Sequence, residues 1–423
     1  MEEGQLIPDL YRHEYSKMVS VLCSRWGIGF MSAAADIVSE TFLSAAETWG
    51  QKGVPANPVA WLYTVAKNNA LNTLKHDRIF EQRIRGELLR AGLGDAPGVS
   101  GGQTFELDLS PRHITDSQLQ MLFAVCHPSI PVEAQISLAL RILCGFTIDE
   151  IAQALLTTKA TINKRLYRAK EKLRAEKVAI ALPDSKAIGE RLDTVLLTLY
   201  LLFNEGYYSA SPDKILRKDF CLEAMRLVYF LTEQELTALP RVYALLALMC
   251  FQASRFDARL SESGNLVLYE QQDSGLWDTE LIRRGNAFFV QACAAGGGSG
   301  GGVSRYHMEA AIAWWHTHSA PDQEKWEQIL RLYNQLLMLE YSPMAALNRA
   351  YAYFRVYGKE KAIREAEKLG LSGNLFYHSL LGELYAGLDD TSAVRHLTTA
   401  LELAGTEAER AVLRWKLDSL RAE

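Results

Sequence analysis

The spacing of apolar residues along the chain predicts helices from one end to the other. In residues 10–27 and 32–49, apolar positions recur every three or four residues, as they do in a helix with one buried face. Another helix is predicted to follow Pro58, because proline suits the first turn of a helix and the preceding loop holds Gly53 and Pro55. The pattern as a whole predicts an all-α fold.

The most specific pattern lies in residues 145–177. A short first helix has one apolar face, formed by Ile148, Ile151 and Leu155. Thr157 and Thr158 follow, and the hydroxyl of either threonine can cap the start of a new helix. The second helix carries an apolar stripe and is otherwise basic. A short helix packed across a longer basic one is the helix-turn-helix arrangement, whose second helix enters the major groove of DNA. The stripe consists of Ile162, Leu166, Ala169 and Leu173.

The start of the second helix has the side chains that DNA recognition needs. Base edges are read by Arg, Lys or Asn, and phosphates are bound by cations and by the N-termini of helices. A basic helix face alone is more often a solvated surface. Here it coincides with an apolar first helix and a polar turn, so DNA binding is the favoured interpretation. The residues expected to contact DNA are Thr158, Lys159, Thr161, Asn163, Lys164, Arg165 and Arg168.

Composition and charge limit the architecture. The 423 residues, 48% of them hydrophobic, are enough for two or three domains with real cores. Residues 1–180 hold 20 Lys and Arg against 19 Asp and Glu, whereas residues 181–423 hold 25 against 31. No run of about 18 apolar residues occurs, so neither a signal peptide nor a membrane span is expected. The six cysteines lie far apart and are expected to be reduced core residues of a cytoplasmic protein.

The end of the chain repeats itself loosely. From about residue 343, two segments each predict a helix, a glycine-containing turn and a second helix. Ala362 and Ala393 occupy equivalent places 31 residues apart, close to the tetratricopeptide period of about 34 residues. Because two repeats are too few to form a core, the helices of residues 190–340 are expected to complete one helical solenoid. The Gly-rich run at 296–302 predicts a flexible loop within it.

Several motifs resemble those of bacterial sigma factors of the extracytoplasmic-function (ECF) group. RLYRAKEKLR at 165–174 resembles their region 4, and ADIVSETFLSAAETW at 35–49 resembles the region 2 helix that docks on RNA polymerase. The helix after Pro58 is similar to the element that reads and melts the −10 part of a promoter. YLLFNEGY at 200–207 resembles a signature of ECF members with a long C-terminal extension.

The resemblance implies a sigma factor, which directs RNA polymerase core to promoters and initiates transcription. It implies that Asp36 and Glu40 contact the polymerase clamp, that region 4 meets the polymerase flap, and that the second helix of the helix-turn-helix reads the −35 element. The expected partners are therefore core polymerase and promoter DNA, and no cofactor or metal is implied. The residues expected at the −10 element are Lys67, Asn68, Asn69, Asn72, Lys75 and Arg78.

The predicted architecture is all-α and has three domains. Residues 1–90 form sigma region 2, residues 91–114 a flexible linker rich in Gly, Pro and Ser, and residues 115–180 region 4 with its helix-turn-helix. Residues 186–423 form a tetratricopeptide-like helical domain. Because this domain is acidic, we expect it to act through an intramolecular contact of the helix at 191–211 with the sigma domains, or through an unidentified regulatory partner. No contact with a membrane is expected.

Two other classes of function remain open at this stage. A helix-turn-helix activator with a helical sensor domain would bind duplex DNA without replacing the sigma subunit, but it would not need an acidic polymerase-docking helix. An enzyme is disfavoured because His307, Glu309 and His316 lack the HExxH spacing of a zinc site, and no phosphate-binding loop or nucleophile motif occurs. Cys126 and His127 are adjacent but have no further candidate ligands nearby in the sequence.

Overall fold

The computed structural model of the chain describes most of its length. It describes residues 3–73, 110–155, 157–184, 187–207, 214–259, 267, 269–294, 302–318, 321–405 and 407–422. Most of the predicted linker and nearly all of the Gly-rich run lie outside these residues.

Helices make up the regular structure of these ranges, which confirms the all-α prediction, and no β-strand occurs in them. The helices of the first half are α1 (Glu3–Trp26), α2 (Met31–Lys52), α3 (58–73), α4 (Pro111–Val125), α5 (Val132–Leu138), α6 (Ile148–Ala154), α7 (Lys159–Ala175) and α8 (Ile188–Tyr207). A turn of π-helix, Ala139–Leu143, continues α5.

The second half continues with helices and short turns. Its helices are α9 (Lys214–Thr232), α10 (Pro240–Ala253), α11 (Thr279–Ala294), α12 (Arg305–Thr317), α13 (Asp322–Leu339), α14 (Pro343–Tyr357), α15 (Lys359–Glu367), α16 (Leu375–Tyr385), α17 (Asp390–Leu403) and α18 (Glu407–Ala422).

The chain forms two compact units, Met1–Leu202 and Phe203–Glu423. The division lies inside α8, downstream of residue 186, where the sequence predicts the C-terminal domain to begin. The helix α4 begins at Pro111, within the segment predicted as a linker. It begins there because Ser110 accepts a hydrogen bond from the His113 N–H and Pro111 suits the first helical position.

The first unit is built around α1, which packs against both α2 and α4. Tyr15, Val19 and Cys23 on α1 are fully buried. The Gln118 amide on α4 donates to the Ser16 hydroxyl on α1 at 3.1 Å, and this pair is buried. The helices predicted for region 2 and for region 4 therefore share one core, a contact that the sequence pattern does not predict.

The part of α8 that ends at Leu202 completes this unit. The Arg191 guanidinium donates to the carbonyl oxygen of Phe123 at 2.6 Å. The Thr198 hydroxyl donates to the buried Gln135 side-chain oxygen at 2.6 Å, and the Gln135 amide in turn donates to the Ile130 carbonyl oxygen. Burial of the Thr198 and Gln135 side chains is tolerated because each is hydrogen-bonded.

The second unit is a succession of helices in which neighbours along the chain pack on one another. α10 is buried along most of its length and contacts α9, α11 and α12. The pairs α14–α15 and α16–α17 turn at Gly358 and Gly387, whose φ values of 84° and 73° lie in the left-handed region that favours glycine. Ala362 and Ala393 are both fully buried at equivalent places. The helix pairs of the predicted repeat are present, and their tetratricopeptide-like character stays a prediction.

The cysteines differ from the expectation at one position. Five are buried, but Cys293 is exposed, because it lies one residue after the buried Ala292 and is therefore turned about 100° around α11 from it. Burial raises the pKa of the Cys23, Cys126 and Cys250 thiols to about 12, which keeps them protonated and unreactive. Among the described helices, none combines the length and the apolar character that crossing a bilayer requires.

Candidate nucleic-acid and polymerase interfaces

The helix-turn-helix predicted at 145–177 is present as α6 and α7. Thr147 caps α6 reciprocally with Glu150: the Thr147 N–H donates to the Glu150 carboxylate at 2.7 Å, and the Glu150 N–H donates to the Thr147 hydroxyl at 3.2 Å. α6 packs on α7 across the turn between them. This cap fixes where α6 begins and so positions the turn that leads into α7.

The predicted cap and apolar stripe of α7 are both confirmed. The Thr158 hydroxyl accepts from the Thr161 N–H at 3.1 Å, and the two hydroxyls lie 2.9 Å apart. One side of the helix is thereby committed to packing, which leaves the opposite side to solvent. The buried residues of α7 are Ile162, Leu166, Ala169 and Leu173.

The opposite side of α7 presents the predicted DNA-binding side chains. Lys164 and Arg168 make no ion pair within the described ranges, whereas Lys159 pairs with Asp149 on α6. Arg165 is half-buried and donates to the Ser137 hydroxyl at 3.4 Å, so part of its side chain supports packing. The exposed residues among those predicted are Thr158, Lys159, Thr161, Asn163, Lys164 and Arg168.

One exposed residue of this face was missed by the sequence prediction. Tyr167 is 68% exposed and directly precedes Arg168. A tyrosine of a helix usually packs in the core, so its helical phase, opposite the buried stripe, was the available signal. Its hydroxyl and ring can contact phosphate or a base.

The outer face of α2 combines acidic residues with one apolar residue. Asp36 and Glu40 are both exposed, one helical turn apart, and form no ion pair in the part of the chain that the structure describes. Leu43 lies on the same face one turn further on and is 61% exposed, with Glu47 exposed beyond it. The sequence prediction included the acidic pair but missed Leu43, which could have been found because it is out of phase with the buried positions of α2.

The predicted −10 residues fall on α3 and on the residues beyond it. The Asn57 side chain accepts from the Ala60 N–H at 3.0 Å and so caps the start of the helix. Trp61 packs edge-on against Trp49, with ring centroids 5.4 Å apart, as expected for a core residue. Asn68 and Asn72 are exposed one turn apart, and Lys67 and Asn69 are half-buried. Lys75 and Arg78 lie outside the described residues.

Lys170 of α7 connects the region 4 helices to α2 within the first unit. The Lys170 ammonium donates to the Ser32 hydroxyl at 3.2 Å. Burial lowers the pKa of Lys170, and the charge of Arg141 lowers it further, while nearby Asp36 opposes the shift. Arg141 lies over the Tyr15 ring at 5.6 Å. Lys170 is therefore engaged inside the unit, unlike the exposed cations at the start of α7.

The polar residues that could have suggested a catalytic site in the second unit have packing roles. His307 accepts from the Ser304 N–H at 3.1 Å and lies 3.3 Å from the Ala292 carbonyl oxygen. Glu309 pairs with Arg305 at 3.0 Å. Burial is the main cause that lowers the pKa of His316 to about 3, with the charges of nearby cations adding to it.

Family models match three parts of the chain. A model described as Sigma-70 region 2 matches residues 10–79, and one described as Sigma-70, region 4 matches residues 120–173. A family of unknown function (DUF6596) matches residues 191–293. A protein of Rhizobium meliloti (strain 1021), described as uncharacterized protein R00370, is 34% identical over 397 residues, which cover 93% of this chain and 91% of that protein. No solved structure matches.

The cap of α7 generates a stability prediction. Replacing Thr158 by alanine removes the acceptor of the Thr161 N–H and should lower the free energy of unfolding by about 1 kcal/mol. Thr157→Ala is the matched control, because no hydrogen bond of the Thr157 side chain is found within the described residues, and it should change stability by less than about 0.5 kcal/mol. Urea unfolding followed by circular dichroism compares the two. Equal losses for both variants would mean that Thr158 is not the cap.

Proposed function

Because the chain belongs to the sigma-70 family, as an ECF-type member with a C-terminal extension, we propose that the exposed faces of α2 and α7 are its two main contact surfaces. The protein directs RNA polymerase to promoters. The observation that carries the proposal is that one packed unit exposes Asp36 and Glu40 on α2 and Lys164 and Arg168 on α7, and that none of these four forms an ion pair among the described residues. The acidic face suits a protein partner and the basic face suits DNA.

The polymerase-binding surface in this proposal is centred on α2. Asp36 and Glu40 supply exposed charge and form no ion pair among the described residues, and Leu43 supplies an exposed apolar contact beside them. Interfaces combine a small apolar centre with a charged rim that sets orientation and association rate. The polymerase clamp is the proposed partner of this face, and the flap is the proposed partner of region 4.

The promoter-binding surfaces lie on α7 and on α3. Lys164 and Arg168 of α7 are exposed and form no ion pair within the described residues, and the capped N-terminus of that helix adds backbone N–H groups for phosphate. This face is proposed to read the −35 element. The exposed Asn68 and Asn72 of α3, with Lys67 and Asn69 beside them, are proposed to meet the −10 element, to which Lys75 and Arg78 would also contribute.

The second unit is proposed to regulate promoter access without a catalytic site of its own. Its candidate catalytic residues are engaged in packing, and it carries the excess of acidic residues, which makes a DNA contact unfavourable. We also propose that the protein acts in the cytoplasm, where its polymerase and promoter partners are found.

The α2 surface is tested by reversing its charges. Asp36→Lys combined with Glu40→Lys should abolish binding to core polymerase while leaving the fold intact, because exposed substitutions usually change stability by less than about 0.5 kcal/mol. Co-purification with core polymerase measures binding. Reversing Glu235 and Glu402, which are also exposed, makes the same change of net charge elsewhere and should have no effect. Leu43→Ser should weaken binding without changing charge. Undiminished binding of the double variant would contradict this assignment.

The α7 surface is tested by separate alanine substitutions of Lys164 and Arg168. If a side chain reads a base, its loss should cost about 1–3 kcal/mol of binding and relax specificity at one promoter position. If it binds phosphate, all sequences should weaken alike and the salt dependence should become less steep. Arg112→Ala removes an exposed arginine of α4 and serves as control. Promoter binding measured at several salt concentrations distinguishes the cases, and normal binding by both variants would show that α7 is misassigned.

The role of the second unit is tested by truncation after Tyr207. This boundary keeps α8, whose Arg191 and Thr198 bond to region 4, so the first unit retains its own contacts. Run-off transcription with core polymerase should differ between the truncated and full-length chains. Increased transcription would mean that the second unit masks the promoter-binding surface, and lost transcription would mean that it is required. Equal transcription by two folded chains would rule out a direct regulatory role.

A further inference from the structure

A cleft of about 350 Å³ lies behind the end of α7, on the side of region 4 where α8 begins. Its walls include His127 from the turn after α4, Arg191 from α8, and the segment that follows α7, from Glu176 to Pro183. This volume is within the range of small-ligand sites, which is about 300–1,000 Å³. None of the surfaces proposed above for polymerase or DNA uses this cleft.

The His127 ring presents a donor that has no acceptor among the described residues. The Ser129 N–H donates to His127 Nδ1 at 3.2 Å, and the Ser129 hydroxyl lies 2.8 Å from the same nitrogen. A backbone N–H can only donate, so Nδ1 is the acceptor and the neutral ring carries its proton on Nε2. Burial, together with the charge of Arg191, lowers the pKa of His127 and keeps the ring neutral.

Arg191 brings a positive charge that is only partly satisfied. One of its terminal nitrogens donates to the Phe123 carbonyl oxygen, but its Nε is buried and has no hydrogen-bond partner among the residues that the structure describes. No carboxylate pairs with Arg191 within the described ranges. A half-buried guanidinium normally has an anionic partner, because its desolvation is otherwise uncompensated.

Glu176, the acidic residue in the wall of the cleft, already has an ion-pair partner. The Glu176 carboxylate pairs with Lys172 at 2.7 Å, and the hydrogen bond from Lys172 is the main cause that lowers its pKa. Lys177 adds a second cation to the wall. The cleft therefore holds two cations and a neutral histidine donor against one carboxylate that is bonded elsewhere.

The backbone that forms one wall is tied to the end of α7. Lys177 has a φ of 51°, a left-handed conformation that is uncommon for a residue other than glycine. The Val178 N–H donates to the Leu173 carbonyl oxygen at 3.0 Å, which closes the helix and turns the chain across the cleft. A molecule in the cleft would thus contact both the end of α7 and the start of α8.

We propose that this cleft binds a small oxyanion, a carboxylate or a phosphate group, through Arg191, His127 Nε2 and Lys177. The donors would surround the anion from the turn after α4, the end of α7 and α8. Such a ligand would pair with the charge of Arg191, which has no carboxylate partner among the described residues, and would link the end of the recognition helix to α8. Binding of this anion does not depend on the function proposed above.

The test uses the full chain with inorganic phosphate and with succinate as probes. Calorimetric titration, and the shift of the thermal unfolding midpoint relative to sodium chloride of equal ionic strength, measure binding. At least one probe should bind, and a preference for phosphate or for succinate identifies which group the site accepts. Failure of both probes to do more than sodium chloride would overturn the proposal.

Two variants and a control locate the binding. Arg191→Gln should weaken the preferred probe about ten- to hundredfold, as loss of a charge-assisted hydrogen bond does. Because Arg191 also bonds Phe123, His127→Asn is the second variant: an asparagine can still accept from the Ser129 N–H but lacks the donor at Nε2. It should also weaken binding. Arg112→Gln, which changes an exposed arginine, should bind as the unmodified chain does. Unchanged affinity in both His127→Asn and Arg191→Gln would place the anion elsewhere and refute the site.

Discussion

The burial of α1 between α2 and α4 is the constraint on which the first unit depends. Tyr15 is fully buried there, so burial raises its pKa and keeps the phenol neutral, and Arg141 lies over its ring. Because α1 has packed neighbours on two sides, the helices of region 2 and region 4 form a single core. Removing either neighbour would expose a helix that is apolar on more than one face, and the exposed area would destabilise the unit.

This packing leaves the proposed contact surfaces open. The buried faces of α2 and α7 are those that turn toward the core, whereas Asp36, Glu40 and Leu43 on α2 and Lys164 and Arg168 on α7 remain exposed. The contact between the halves includes polar pairs such as Gln118 with Ser16 and Lys170 with Ser32. The core thus holds the two surfaces in place without using the side chains that are proposed to bind polymerase and DNA.

Local features of this fold were predictable and long-range ones were not. The stripe of α7, its cap at Thr158 and the helix pairs after residue 343 follow from periodicity and from residues within one turn of each other. The contact of α1 with α4 joins residues about a hundred positions apart, and neither helix pattern specifies its partner. Leu43 and Tyr167 were missed because an apolar or aromatic residue is assigned to the core by default. Once the buried positions of each helix are known, these two residues can be distinguished from core residues because they lie out of phase with the buried positions.

The opposite charges of α2 and α7 are consistent with the DNA contact proposed for α7, although the chain has a net charge of −5. At physiological ionic strength the Debye length is about 8 Å, so a DNA phosphate near α7 interacts mainly with the cations around it and little with distant acidic residues. The same screening lets the acidic face of α2 meet a partner independently of α7. Lys170 illustrates the limit of this independence, because it lies close enough to Asp36 for the carboxylate to oppose the lowering of its pKa. Net charge therefore says little about DNA binding here, and the placement of each charge relative to the buried stripe of its own helix decides what that face can bind.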